Sequence, residues 1–269
     1  MKKTIVITGS TDGIGKLAAL KMAKDGHQVY LHGRNSDKLM KVISEIKKET
    51  GNDNISGFVA DFSDLNEVKK MSNEINEKIS SLDVLINNAG VFKSNQPITK
   101  AGIDIRIVVN YFAPYLLTNS ILDKMKNSPK PRIINLSSAA QSSVSFELLK
   151  GDIKVSDQEA YAQSKLAILI WSFYLSQQEP GISVVALNPG SLLNTNMVRE
   201  AYGKFWSSAD KGADIIYDLA LTKNSENING KYFDNDKGGF GLAHPDAYNQ
   251  ELTDELIKYT NNALTTISD

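Results

Sequence analysis

The segment Gly9-Ser10-Thr11-Asp12-Gly13-Ile14-Gly15 places three glycines just after a short apolar run. A turn of this kind lets a diphosphate come close to the backbone. A side chain at those glycines would block that approach, or the packing of the helix that follows. The free N–H groups at the helix start then meet the negative charge. The spacing is GxxxGxG, not the GxGxxG of the older dinucleotide fingerprint, and a purely structural turn is the competing reading. The next apolar run ends in Tyr30-Leu31-His32-Gly33-Arg34-Asn35, without an acid. An NAD site usually has an acidic group there for the ribose hydroxyls, whereas a guanidinium suits a 2′-phosphate through its fork geometry and permanent charge. Arg34, with Asn35 beside it, therefore points to NADP(H) rather than NAD(H). The bland alternative is a surface arginine at a helix start.

These residues need a scaffold of alternating elements. Strand-like runs fall at 4–8, 28–32, 55–60, 82–86, 132–136, 183–187 and 231–233. Most are continuously apolar, as parallel strands buried on both faces should be. Helical patterns lie between them at 13–25, 36–50, 64–80, 103–126, 157–177 and 209–221, with a last helix from 246 to about 264. The expected fold is α/β: a Rossmann-type doubly wound parallel sheet of about seven strands, helices on both faces, and one unit over 1–269. Ligands bind such sheets beyond the carboxyl ends of the strands, near the switch in strand order. Two stretches, 141–156 and 191–208, stand outside the alternation and are expected to be substrate loops.

Composition narrows the classes of function. The chain has 269 residues, with 30 Lys+Arg against 31 Asp+Glu and a formal net charge of -1. Nothing in that balance points to nucleic acid or an anionic membrane as partner. Cys is absent, which excludes disulfides, Cys-ligated zinc and a Cys nucleophile. The three histidines, His27, His32 and His244, show no ligand spacing, so no metal is expected, and His32 reads as a packing residue. No G-x-S-x-G elbow supports a hydrolase. The apolar runs at 105–115 and 166–175 are too short to span a bilayer, which needs roughly 18 residues or more. The start looks superficially like a signal peptide but runs straight into glycines, so a buried strand and a cytoplasmic protein are expected.

An ordered set of motifs resembles the short-chain dehydrogenase/reductase family over nearly the whole chain. Thr8 to Gly15 is similar to its TGxxxGIG cofactor loop. Asp61-Phe62 looks like its adenine-contacting pair, and Asn87-Asn88-Ala89-Gly90 like its NNAG motif. Asn110 falls at its active-site Asn, Ser138 at its catalytic Ser, and Tyr161-Ala162-Gln163-Ser164-Lys165 at its YxxSK signature. Asn188-Pro189-Gly190 resembles its PG motif, and Gly230 to Phe233 its last strand. The resemblance implies a catalytic set of Asn110, Ser138, Tyr161 and Lys165. It implies a cofactor site of Gly9, Ser10, Thr11, Asp12, Gly13, Ile14, Gly15, Asp61, Phe62, Asn88, Ala89, Gly90, Tyr161, Lys165, Pro189 and Gly190, beside Arg34 and Asn35. The expansion at 141–156, with Arg34, looks most like the retinol-dehydrogenase-like branch, and protochlorophyllide reductases resemble it too. One departure concerns the family's threonine after the PG motif. Asn194 stands there with Thr195 next, so either one could anchor the nicotinamide carboxamide.

The implied chemistry interconverts a carbonyl and an alcohol. Hydride transfer leaves charge on the carbonyl oxygen, which must gain a proton. Tyr161 and Lys165 are four apart on one expected helix and share a face. The ammonium is expected to lower the phenol's pKa from its usual value near 10. Ser138 would orient the carbonyl, and Asn110 would bind a water that returns the proton through Lys165.

Phe146, Leu148, Met197, Tyr202, Phe205 and Trp206 in the two loops are candidate walls for a small hydrophobic substrate under a mobile lid. They are equally candidate core anchors. The helix after Lys165 is apolar nearly all round. The resemblance attributes this to a homodimer, and burial under 141–156 would also explain it. Two rivals remain at this point: an NADP(H)-binding sensor without turnover, and a Rossmann-type methyltransferase.

Overall fold

Eight strands form one sheet: β1 Thr4–Ile7, β2 Gln28–Gly33, β3 Ile55–Val59, β4 Val84–Asn87, β5 Arg132–Leu136, β6 Ser183–Asn188, β7 Lys231–Asp234 and β8 Gly239–Gly241. The computed structural model describes residues 2–222 and 228–266. The other positions of the expected 1–269 unit lie outside the described residues. The strand order is β3-β2-β1-β4-β5-β6-β7-β8. β1 to β7 are parallel, and β8 turns back antiparallel on β7. The expected sheet of about seven strands therefore gains one. Gly239-Phe240-Gly241 offers only one large apolar side chain, so nothing in its sequence marks a strand.

The helices are α1 Gly13–Lys24, α2 Ser36–Thr50, α3 Leu65–Lys78, α4 Ile105–Ile107, α5 Ala113–Lys126, α6 Phe146–Lys150, α7 Asp157–Gln178, α8 Asn196–Tyr202, α9 Ala209–Tyr217 and α10 Gln250–Thr266. Short polar residues start those that bear on the site. Asp12, Asn35, Ser156 and Thr195 each accept a backbone N–H at the head of α1, α2, α7 and α8. α6 and α8 lie inside the two stretches expected to be loops.

The expected helix 103–126 is interrupted by a π-helical turn at Val108–Phe112. Pro114 has no N–H to give the carbonyl four residues back, that of Asn110. The chain adjusts by a wider turn, in which the Ala113 N–H reaches the Val108 carbonyl.

The parallel strands feed two apolar layers. Ile5, Ile7, Val29 and Leu31 pack with α1, α2 and α9 on one face. Val6, Leu85, Ile133 and Val184 pack with α3, α5, α7 and α10 on the other. The apolar run of α7 is covered within the chain. Tyr111 and Tyr115 hydrogen-bond Thr260 and Asn261 of α10, and Trp171 is 1% exposed. One chain thus accounts for the apolar character that a second subunit was invoked to explain.

Candidate active site

β1 and β4 lie side by side, but the chain leaves them in opposite directions across the sheet. This is the switch point where α/β sheets open a crevice. Thr8 ties the two exits together. Its hydroxyl accepts the N–H groups of Asn88 and Ala89, both at 3.0 Å, while Asn88 Nδ2 donates to the carbonyls of Thr8 and Gly9. The cleft above has a volume of about 430 Å³.

One end of the cleft is the glycine loop. Gly9 has φ +62, and a Cβ there would lie 2.7 Å from the Ala89 Cα, so only glycine fits. Asp12 caps α1 and pairs with Lys38 at 2.8 Å. Burial opposes its charge, but Lys38 and the Gly13 N–H hold the carboxyl below its ordinary value. Asn196 of α8 donates to the same carboxylate at 2.7 Å, joining the far wall to the loop. His32 is buried. Its Nδ1 accepts the Gly9 N–H at 3.0 Å, its Nε2 donates to the Ala60 carbonyl, and its ring stacks on Phe62 at 4.2 Å. Asp61 lines the cleft beside Phe62 and accepts from Ser63. Arg34 lines the same end and is exposed.

The other end holds Tyr161 and Lys165, one turn apart on α7. Lys165 is 4% exposed and donates to the Leu136 carbonyl at 2.7 Å. Its Nζ lies 5.5 Å from the centroid of the Tyr161 ring. Burial alone pulls the Lys165 ammonium down to about 8. Burial pushes the Tyr161 phenol up to about 12, against a hydrogen bond with Ser138 that lowers it, and nearby Tyr202 adds to the rise. The expected lowering by the ammonium does not appear among these causes, and burial sets the direction. The Ser138 carbonyl is held by Tyr232 and Gln141. Asn110 sits on the π-helical turn, and both the oxygen and the nitrogen of its amide are bonded. It accepts from Val91 N at 2.8 Å and donates to the Val91 carbonyl and to Ser164 Oγ.

Most of the expected cofactor residues converge on this cleft: Gly9, Thr11, Asp12, Gly13, Ile14, Gly15, Arg34, Asp61, Phe62, Asn88, Ala89, Gly90, Pro189, Gly190 and Thr195. Ser10 does not face it. It is buried, donating to the Ile7 carbonyl and accepting from His32 N. Asn35 is exposed and caps α2. Thr195 faces Gly13, while the Asn194 side chain accepts from Arg199, so Thr195 is the one of the pair that reaches the cleft. Asp236 fixes the loop after β6 by accepting from Asn188, Ser191 N and Ser191 Oγ.

Among the candidate substrate walls, Met197 lines the cleft, and the Tyr202 ring lies tilted, 5.5 Å from that of Phe92. Leu148 is 1% exposed in the core, Phe146 packs on Tyr259, and Phe205 and Trp206 are exposed. Sequence reasoning missed Phe92, whose ring lies 4.9 Å from that of Tyr161. Its position two residues beyond Gly90 was the available signal.

The cleft fits a dinucleotide on its own geometry. The glycines leave a groove at the head of α1, where free N–H groups favour a diphosphate. A Cβ on Gly90 would lie 3.6 Å from Lys165 Nζ, so the second glycine wall keeps the space before the ammonium open. Among the described residues no cluster of His, Asp or Glu could hold a metal ion, and no helix is long and apolar enough to cross a membrane.

Known proteins agree with this geometry. Residues 3–204 match the family described as short chain dehydrogenase. Mouse retinol dehydrogenase 13 is 35% identical over 251 residues, covering 86% of this chain and 75% of that protein. Human polyprenol dehydrogenase is 31% identical, covering 94% of this chain and 82% of that protein. A short chain dehydrogenase from Escherichia coli CFT073, solved with NADPH, superposes with a TM-score of 0.72 at 25% identity, over 87% of this chain and 96% of that one. A protein from Mycobacterium paratuberculosis shares the fold at a TM-score of 0.78 and 23% identity, over 97% of this chain and 92% of that one. The chain belongs to the short-chain dehydrogenase family, as an oxidoreductase of alcohol and carbonyl groups.

Proposed function

We propose that the protein is an NADP(H)-dependent oxidoreductase that interconverts a carbonyl and an alcohol on a small apolar substrate. The observation that carries this reading is one cleft holding Tyr161 and Lys165 at one end and Arg34 at the other, with no carboxylate on residues 33–36. The NADPH and NADP bound in two related solved structures support the choice of phosphorylated dinucleotide.

Gly9, Gly13, Gly15 and the head of α1 would hold the diphosphate, Asp61 and Phe62 the adenine side, and Pro189, Gly190 and Thr195 the nicotinamide side. When bound, the nicotinamide supplies or accepts the hydride. The Tyr161 phenol stays protonated at neutral pH, the form that gives a proton to a carbonyl oxygen during reduction. Ser138, bonded to Tyr161, would donate to the same oxygen. The Lys165 ammonium, 5.5 Å from the Tyr161 ring centroid, would stabilise the phenolate left behind by its charge. Asn110 fixes the cleft floor by clamping both polar groups of the Val91 backbone.

Phe92, Ile105, Val109 and Met197 give the reacting end an apolar wall, which supports an apolar substrate. The names of the retinol and polyprenol dehydrogenases point to alcohols of the same character.

The test is fluorescence titration with NADPH and NADH, then turnover of a panel of apolar aldehydes, ketones and quinones. Arg34→Ala should weaken NADPH by roughly ten-fold or more, the value of a charge-assisted hydrogen bond, and leave NADH within about two-fold. Equal losses would remove the 2′-phosphate argument. Tight NADPH binding with no turnover of any panel member would overturn the substrate reading.

A further inference from the structure

Arg106 is an arginine 1% exposed, and it faces neither the glycine loop nor Lys165. Its Nε and Nη2 make a fork onto the Asp104 carboxylate at 2.8 and 2.6 Å. Its Nη1 donates in two further directions, to the Phe92 carbonyl at 3.1 Å and to Asp157 Oδ1 at 2.6 Å. The Asp104 and Asp157 carboxylates both face the guanidinium, but only the Nη1 contacts, to Asp157 and to the Phe92 carbonyl, reach beyond its own turn. Both lead to the reacting end of the cleft. Asp157 opens α7 one helical turn before Tyr161, on the same face. Phe92 lines the cleft, with its ring 4.9 Å from that of Tyr161.

We infer that Arg106 is a positioning residue for the Tyr161 reaction: its guanidinium fastens the first turn of α7 and the backbone of Phe92 into one unit, and so fixes the Tyr161 hydroxyl against the substrate wall. This rests on the proposed carbonyl chemistry at Tyr161. A planar fork with five donors can reach three acceptors at once, which an ammonium on a flexible stem cannot do in the same directions. Without the tie, the head of α7 keeps the Ser156 cap and the bond from Ser142 Oγ to Glu159, neither of which joins it to Phe92. A displacement of the reacting group by an ångström is expensive in rate.

The test uses two variants of the full chain. Asp157→Ala cuts only the tie to α7. The Asp157 side chain is 47% exposed, and the Arg106–Asp104 pair survives, so the fold is kept. The expected result is a kcat lower by roughly ten-fold, with NADPH Kd and Tm nearly unchanged and faster amide exchange over residues 158–162. Arg106→Lys should reproduce the kcat loss, and the double variant should be no worse than Arg106→Lys. Unchanged kcat in Asp157→Ala overturns the inference. So does a parallel fall of kcat, NADPH affinity and Tm, which would mark a structural staple only. If the wild type turns over no carbonyl, the proposed function fails. The positioning claim then stands or falls on the exchange of residues 158–162, and unchanged exchange overturns it.

Discussion

Lys165 gives its short hydrogen bond to the Leu136 carbonyl, at 2.7 Å, and meets Tyr161 through the ring face at 5.5 Å. The pair shares a helix face, yet the phenol is not pulled down. Burial acts on both groups and favours the neutral form of each, so the Tyr161 phenol is pushed up to about 12 and the Lys165 ammonium down to about 8. In the neutral range Tyr161 is an acid and Lys165 is charged, which suits reduction.

That balance predicts a pH profile. For carbonyl reduction, kcat/KM should be flat near neutrality and fall above about pH 8, as Lys165 loses its proton while Tyr161 keeps its own. Tyr161→Phe should lower kcat by about 10²–10⁴ and leave NADPH affinity within a few-fold. Steady-state rates across pH with parallel NADPH titrations measure both. A profile flat to about pH 10 would remove the ammonium from the mechanism.

Elements with a period or a cap could be read before any coordinates. Seven of the eight strands and the main helices lie at apolar runs, and the glycine loop opens α1 as its spacing implied. What could not be read depends on distance through space. Arg106 meets Phe92 and Asp157 across long separations in the chain, and nothing local in Ile105-Arg106-Ile107 announces it. The burial that reverses the expected Tyr161 shift belongs to the assembled cleft, not to a spacing of four. The π-helical turn had one local sign, Pro114. The short helices α6 and α8 had capping residues at Ser145 and Thr195, which the polar surroundings obscured.

His32 predicts an acid-side loss of stability. Burial brings its pKa from the ordinary 6.5 down to about 4, opposed by the Ala60 carbonyl and by Asp61, so the ring stays neutral in the folded chain. As pH falls below 6.5 the unfolded chain takes up a proton that the folded chain refuses. Stability present above 6.5 is lost between there and about 4, by roughly 2 kcal/mol at pH 5. His32→Asn should flatten that part of the Tm-against-pH curve, while weakening NADPH because the Gly9 N–H loses its ring acceptor. A wild-type Tm that is unchanged between about pH 7 and 5 would contradict it.

Gly9 and Gly181 form a matched pair. A Cβ on Gly9 meets backbone at 2.7 Å in a left-handed conformation, whereas a Cβ on Gly181 meets nothing within 4 Å. Gly9→Ala should cost about 1–3 kcal/mol and abolish tight NADPH binding, since Ala89 can move only with the cleft wall. Gly181→Ala should leave both unchanged. Thermal unfolding and NADPH titration on the two variants decide it, and equal behaviour would mean that the glycine cradle is not rigid.

The cover over α7 predicts the assembly. Ile168, Leu169, Ile170 and Trp171 are buried within one chain, beneath a layer to which α10 contributes Leu256, Ile257 and Leu264. The hydroxyls of Tyr111 and Tyr115 end on Thr260 and Asn261 at 2.7 Å each. A second subunit docked on this face would have to displace that layer and leave two phenols without acceptors, at about 1–3 kcal/mol for each buried one. The full chain should therefore have the mass of one protomer in light scattering. Thr260→Val should lower Tm by removing the acceptor of Tyr111, without changing that mass. Truncation before residue 249 should expose the apolar face and drive association, the expected fate of a large uncovered apolar patch. A full-length chain that is a stable dimer, with the same mass after truncation, would place the subunit contact elsewhere and leave α10 with no part in assembly.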